Sequence, residues 1–188
     1  MNKGFTLVEL LVSISIFTVI TTMAVYNHSQ FNGSVLLTNL AYEVGLSIRQ
    51  AQFYGISVRQ NAATAFDSGY GIHFDPASPT SYILFEDKAG GVSHARDAGD
   101  LDLQVFAISK GNKINKVCVN GTCGQLAVDI TFLRPNPDAY FTQGGSGSLI
   151  GGKVDVCVKS PQGTARRVTV ESTGQISIGN DGPPAICD

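Results

Sequence analysis

Met1-Asn2-Lys3-Gly4-Phe5-Thr6-Leu7-Val8-Glu9-Leu10-Leu11 opens the chain, and the apolar run it begins continues to Tyr26. A short basic leader, Met1 to Gly4, gives way at Phe5 to Leu, Ile, Val, Phe, Thr and Ser. No Asp, Glu, Lys or Arg occurs from Leu10 to Tyr42. At about 1.5 Å of rise per residue, Phe5 to Tyr26 as a helix covers roughly the 30 Å hydrocarbon core of a bilayer. Glu9 is out of place there. A carboxylate at the bilayer centre costs on the order of 2.5–3.5 kcal/mol, so one retained in the span is a functional-site candidate by default.

Three readings of the segment compete. A secretory signal peptide would use Lys3 as its basic region and Leu7 to Val19 as its apolar core, with cleavage near Thr22-Met23-Ala24. Glu9 inside the apolar core and the poor small-residue site argue against it. A plain membrane anchor leaves Glu9 and the Gly4-Phe5 junction unexplained. The string Lys3-Gly4-Phe5-Thr6-Leu7-Val8-Glu9 resembles the processing site of type IV pilins and type II secretion pseudopilins in residue types, order and distance from the N-terminus. The resemblance implies that a prepilin peptidase cuts after Gly4, that the new N-terminal Phe5 is N-methylated, and that Glu9 serves polymerisation. It also implies a single-pass protein of the cytoplasmic membrane with its head outside the cytoplasm, destined for an extracellular pilus or a periplasmic pseudopilus.

Glu9 then has a physical role. Cleavage would leave a charged amine on Phe5, costly to bury without a partner. With helices side by side in a filament, Glu9 of one subunit reaches the Phe5 amine of a neighbour. Two costly buried charges become one compensated pair that fixes the axial register. Removing one member of such a pair costs about 3–5 kcal/mol, whereas replacing both need not.

The organisation expected from the 188 residues is a leader (1–4), a transmembrane and filament-core helix (5–26), an amphipathic helix half (27–55) and a β-rich head (56–188). Charged residues make up only 15%, low for a free cytosolic protein and in keeping with a surface that packs against copies of itself. The formal charge of −2 becomes −3 if Lys3 leaves with the leader. Past Tyr26, Asn32-Gly33 is where a kink or local melting of the helix is expected, because Gly costs about 1 kcal/mol against Ala in a helix. His28 reads as an interfacial polar residue. From Val35 a stripe of Leu36, Leu40, Val44, Ile48 and Ala51 is predicted to bury against a sheet, with Asn39, Glu43, Gln50 and Arg59 on or near the wet side.

From Ile56 the signals are β: short, often alternating segments separated by Gly, Pro, Asn and Asp. Predicted strands are Ile56–Ala65, Tyr70–Phe74, Ser81–Phe85, Leu103–Ser109, Asn115–Val119, Gln125–Phe132, Ala139–Thr142, Gly152–Val158, Arg166–Glu171 and Gln175–Ile178. The last two form a hairpin across Ser172-Thr173-Gly174. The fold class is therefore α+β, a long helix packed on an antiparallel β head, as in pilins. Three stretches narrow the resemblance to the GspH/FimT-type branch of minor pilins and pseudopilins: Ala51-Gln52-Phe53-Tyr54-Gly55, Phe132-Leu133-Arg134-Pro135-Asn136-Pro137-Asp138, and Arg167 to Ile176.

Four cysteines in a chain whose bulk is exported suggest two disulfides. Cys118 and Cys123 flank an Asn120-Gly121 turn and can close a hairpin; Cys157 with Cys187 would staple the tail to the sheet. Of the three possible pairings this is the expected one. No Cys-x-x-Cys pair or His neighbour supports a metal site, and no cofactor is expected. Asp97, Asp100 and Asp102 with Glu86 and Asp87 form the densest acidic region. Some pseudopilins hold calcium in their heads, but no EF-hand spacing is present and solvated loop carboxylates are the simpler reading.

The charge is segregated. Residues 60–105 hold seven acids against Lys88 and Arg96, whereas residues 106–170 hold eight bases against Asp129, Asp138 and Asp155. Lys110, Lys113, Lys116, Lys153, Lys159, Arg166 and Arg167 form a candidate basic patch, for complementary packing between subunits or for DNA phosphates. Some FimT-type pilins receive DNA through a basic motif near the C-terminus, yet here no Lys or Arg follows Arg167. Catalysis has little support. His73 with Asp75 and His94 near Asp97 are polar residues of strands or loops, and no nucleophile elbow, phosphate loop or His-Glu-x-x-His is present. The function expected is structural: a filament subunit whose partners are copies of itself, other pilins, the prepilin peptidase and the membrane. An exported module that captures DNA or adheres to surfaces is the alternative.

Overall fold

The computed structural model describes residues 4–57, 68–88, 94–124, 126–147, 149–180 and 186–187, and of residues 27–32 the backbone alone. The side chains of His28, Arg59 and Gln125 lie outside the described residues, as does the predicted strand Ile56–Ala65 beyond Ser57. One helix, α1, spans Leu7–Ile56 without interruption. The melting expected at Asn32-Gly33 does not occur. Gly33 is buried instead, and a Cβ there would stand 2.8 Å from Gln162 Oε1, so its lack of a side chain admits the head's close approach.

In its second half α1 buries Leu37, Leu40, Ala41, Val44, Ile48 and Ala51. Leu36, expected in this stripe, is only half-buried, and Leu37 takes its place. A strict four-residue spacing overshoots the 3.6-residue turn, so the buried face mixes steps of three and four. Asn39 and Glu43 are exposed as expected, and Gln50 is half-buried, donating to the Tyr54 hydroxyl at 3.0 Å.

Ten strands follow: β1 Gly69–Phe74, β2 Ser81–Asp87, β3 Leu101–Ala107, β4 Lys113–Val119, β5 Thr122–Gly124, β6 Val128–Phe132, β7 Ala139–Gln143, β8 Lys153–Lys159, β9 Ala165–Glu171 and β10 Ile176–Asn180. They make two antiparallel sheets, ordered β3-β2-β1-β6-β7 and β10-β9-β8-β4-β5. Both rest on α1, and their inner side chains (Ile72, Phe74 and Ile130 from one sheet, Val117, Val156 and Val168 from the other) join the helix in one core. Period-two alternation puts Val154, Val156 and Val158 of β8 in that core and turns Asp155 and Cys157 to the opposite face. On that outer face Cys187 and Ile186 of the tail pack with Cys118, Cys157 and Ala165.

The three stretches of the narrower resemblance meet at one end of the head. Gln52 Nε2 donates to the carbonyls of Pro137 and Gly174, each at 3.0 Å. Gly55 lies against the Phe132 backbone, and Ala139 N–H donates to Ser172 O at 2.9 Å. This far end, where α1 stops, is opposite the near end, where residues 33–40 of α1 enter the head.

Candidate functional site

Gly4 to Thr6 precede the helix and are exposed. A Cβ at Gly4 would meet nothing within 4 Å, so the fold makes no demand for glycine there. Phe5 is 74% exposed, and the Gly4-Phe5 bond lies outside regular structure, where a protease can reach it.

Thr6 is the N-cap, and its Oγ1 accepts the Glu9 N–H at 3.3 Å. Thr6-Leu7-Val8-Glu9 thus fits the Thr-x-x-Glu capping signature, a signal legible in the sequence beside the processing motif. Glu9 stands in the first turn, where the helix dipole favours a negative charge. No hydrogen bond or ion pair among the described residues reaches its carboxylate.

Leu7–Tyr26 is a candidate membrane span of 20 residues with mean hydropathy 2.1 and none of it buried. Its hydroxyls suit an apolar medium. Ser13, Ser15, Thr18, Thr21 and Thr22 each donate to a carbonyl one turn back, at 2.7–2.8 Å, so none needs water. The exposed apolar surface does not end at Tyr26. Val35, Tyr42, Leu46 and Phe53 recur at helical spacing and are 41%, 56%, 65% and 68% exposed, a second face of α1 turned away from the sheets.

The seven bases of the candidate patch do not form one surface. Lys110, Lys113, Lys159 and Arg166 stand at the near end, and Arg166 Nε faces inward to Thr38 of α1. Lys153 is at the far end, opposite Glu171. Lys116 and Arg167 flank Cys157 on the outer face, where Lys153 and Arg167 approach buried Asp155 at 3.8 and 4.0 Å.

His73 and His94 find partners other than Asp75 and Asp97. β1 ends at Phe74, so Asp75 does not share a strand face with His73; its Oδ1 accepts Ala77 N–H. His73 Nδ1 instead meets Asp129 of β6 at 2.6 Å. His94 lies over Tyr140, ring centroids 4.5 Å apart, and its N–H donates to Asp87. Its carbonyl accepts from Thr131 and Thr142, both at 3.0 Å. The segment from His94 to Asp102 is thereby strapped over the outer face of the first sheet, with Ala95 fully buried beneath it.

In this strap, burial and the charges of Asp100, Asp97 and Asp129 push Asp87 up to about 6, although the His94 N–H opposes them. Burial also raises Asp100 and lowers His94, while the Arg96 guanidinium holds Asp102 below the usual range. The acids are engaged with backbone N–H groups and Arg96, and no three His, Cys, Asp or Glu converge as a metal site among the described residues. Disulfides join Cys118 to Cys123 and Cys157 to Cys187.

Residues 1–25 match the family model described as the prokaryotic N-terminal methylation motif. No curated protein and no solved structure matches the chain. The match covers the N-terminus alone, and an N-terminus of this kind indicates a type IV pilin-like precursor.

Proposed function

We propose that the protein is a structural filament subunit, a pilin or pseudopilin of GspH/FimT type, cut after Gly4, N-methylated on Phe5 and assembled through α1. The observation that carries this is the bare apolar helix Leu7–Tyr26 with a single carboxylate, Glu9, in its first turn, directly after the processing motif. A membrane supplies apolar surroundings for such a helix but no counter-charge for Glu9; neighbouring helices with Phe5 amines supply both. Continuation of exposed apolar side chains to Phe53 supports helix packing along the subunit's length. The meeting of helix end, Pro137 loop and final hairpin at Gln52 supports the branch. The spread of the bases over the near end, the far end and the outer face disfavours a DNA-capturing head.

The test is the N-terminal mass of the protein from sheared surface fractions of the native cell. A chain beginning at N-methylated Phe5 and sedimenting with filaments is expected. A soluble chain beginning near Val25 would overturn the reading.

A further inference from the structure

The two disulfides share the outer face of the second sheet but not its exposure. Cys157 and Cys187 are fully buried, and Ala165 and Ile186 pack with them and with Cys118. Cys118 is fully buried too, but its partner Cys123, on β5 just past the Asn120-Gly121 turn, is exposed. A Cβ at Gly121 would meet nothing within 4 Å, so that side of the turn is open. Cys123 is thus the one exposed cysteine of the four. Exchange begins when a thiolate reaches a disulfide sulfur, so access decides which bridge reacts.

Asp155 of β8 stands directly across from Cys118 in the β4–β8 register, so the two side chains leave the sheet as neighbours on one face. Asp155 is fully buried. Thr169 Oγ1 donates to its Oδ1 at 2.5 Å, whereas Oδ2 is buried and accepts no hydrogen bond. Lys153 Nζ, 3.8 Å from Oδ2, is beyond donating distance. A buried acceptor left without a donor is costly. The closed bridge has no proton to offer it. A reduced Cys118 carries one, on a sulfur that the strand pairing already sets beside the carboxylate.

We propose that Cys118–Cys123 is a thiol–disulfide exchange site, opened at Cys123 by a dithiol, with Asp155 accepting the S–H of the reduced Cys118, while Cys157–Cys187 stays closed. A thiolate of the dithiol attacks Cys123 Sγ. The bond to Cys118 breaks, its electron pair leaves on the Cys118 sulfur, and that sulfur takes up the proton the first thiol gave up. The second thiolate of the dithiol then attacks its own partner sulfur in the mixed disulfide, and Cys123 leaves and takes the second proton. The bridge gains two electrons and two protons, and the dithiol becomes a disulfide. The partner class is therefore a dithiol oxidoreductase, acting on one bridge of the two.

The test incubates the full chain, folded in detergent micelles, with graded dithiothreitol. Acid quenching, alkylation and peptide mass spectrometry then read each cysteine. Cys118 and Cys123 are expected to open at least tenfold faster than Cys157 and Cys187. One common rate, or Cys157 and Cys187 opening first, overturns the exchange site. The part of Asp155 is read in Cys123→Ser, which leaves Cys118 a permanent thiol. Its infrared S–H stretch is expected at lower frequency than in Cys118→Ser, where the thiol is the exposed Cys123, and to rise again when Asp155→Asn removes the charge. Equal frequencies in the two single variants, which do not touch Asp155, overturn its part as acceptor.

Discussion

Glu9 sits where two opposing free energies meet. Its place in the first turn of α1 favours a carboxylate by about 0.3–1 kcal/mol. Hydrocarbon opposes it by on the order of 2.5–3.5 kcal/mol at the bilayer centre. Capping thus offsets only part of the cost, and the remainder favours an opposite charge such as the proposed Phe5 amine. For Glu9→Leu we expect normal recovery in the membrane fraction and a roughly tenfold or greater loss from sheared filaments, as a broken buried pair of about 3–5 kcal/mol requires. Immunoblots of the two fractions decide it, and undiminished filament recovery would dismiss the pairing. A second residue-scale demand lies at the far end. Gly174 has φ 80, and a Cβ there would stand 2.0 Å from Pro137 O. Gly174→Ala should therefore cost roughly 2–4 kcal/mol, strain and clash together. Gly163→Ala, with φ 90 and open space around it, should cost only the strain, about 1 kcal/mol. Denaturant titration of the two variants measures the difference, and equal losses would mean that the Pro137 contact is yielding.

Among the elements, the strap from His94 to Asp102 has a pH dependence set by Asp87. Its folded pKa of about 6 lies above the ordinary 3.8, so the folded strap binds the proton more tightly than the opened one. Stability from this group is fully present below pH 3.8 and is lost as pH rises through about 6. His94, lowered by burial, acts in the opposite direction as pH falls, so the contribution of Asp87 is isolated by comparison with Asp87→Asn. Hydrogen exchange at the His94 amide, corrected for intrinsic rate, should lose protection from pH 5 to pH 7, and less so in the variant. Identical profiles would exclude Asp87 as the cause. On α1, the exposed apolar face makes a separate demand. Leu46→Glu is expected to leave the melting temperature of the head within a few degrees, since a substitution at an exposed site shifts stability by about 0.5 kcal/mol or less. It should nonetheless reduce filament recovery; full recovery would free that face from any part in assembly. The sequence revealed these elements unevenly. The helix was legible because the apolar run to Tyr26 and the stripe from Val35 each carry a helical pattern, although the polar stretch between them misleadingly suggested a break, and the β9–β10 hairpin because both strands and their turn are contiguous. The strap was not. Thr131 and Thr142 hold the His94 carbonyl from strands 37 and 48 residues away, and nothing local announces that.

For the whole molecule, the α+β class followed from the switch of period near Ile56, but the division into two sheets did not. β3 and β4 are separated only by Ile108 to Asn112, and neither carries a mark of different membership. Their sheets are set by distant partners, β2 for the one and β8 for the other. β3 was expected at Leu103–Ser109 and forms at Leu101–Ala107, because its register is fixed by pairing with β2. What unites the two sheets is α1, whose Leu37, Leu40, Ala41, Val44, Ile48 and Ala51 lie in the same core as the inner residues of both. This sharing has a thermodynamic consequence. Neither sheet can lose its helical floor without exposing the other, so the head should unfold as one unit. A chain beginning at Asn32 keeps all the described core residues and discards the apolar span; it is expected to be soluble, monomeric by sedimentation, and to melt in a single transition by both near- and far-ultraviolet circular dichroism. A chain beginning at Gln52 lacks the shared floor and should not fold. Two separate transitions in the Asn32 chain, or a folded Gln52 chain, would show that the sheets stand independently and that α1 merely lies against them.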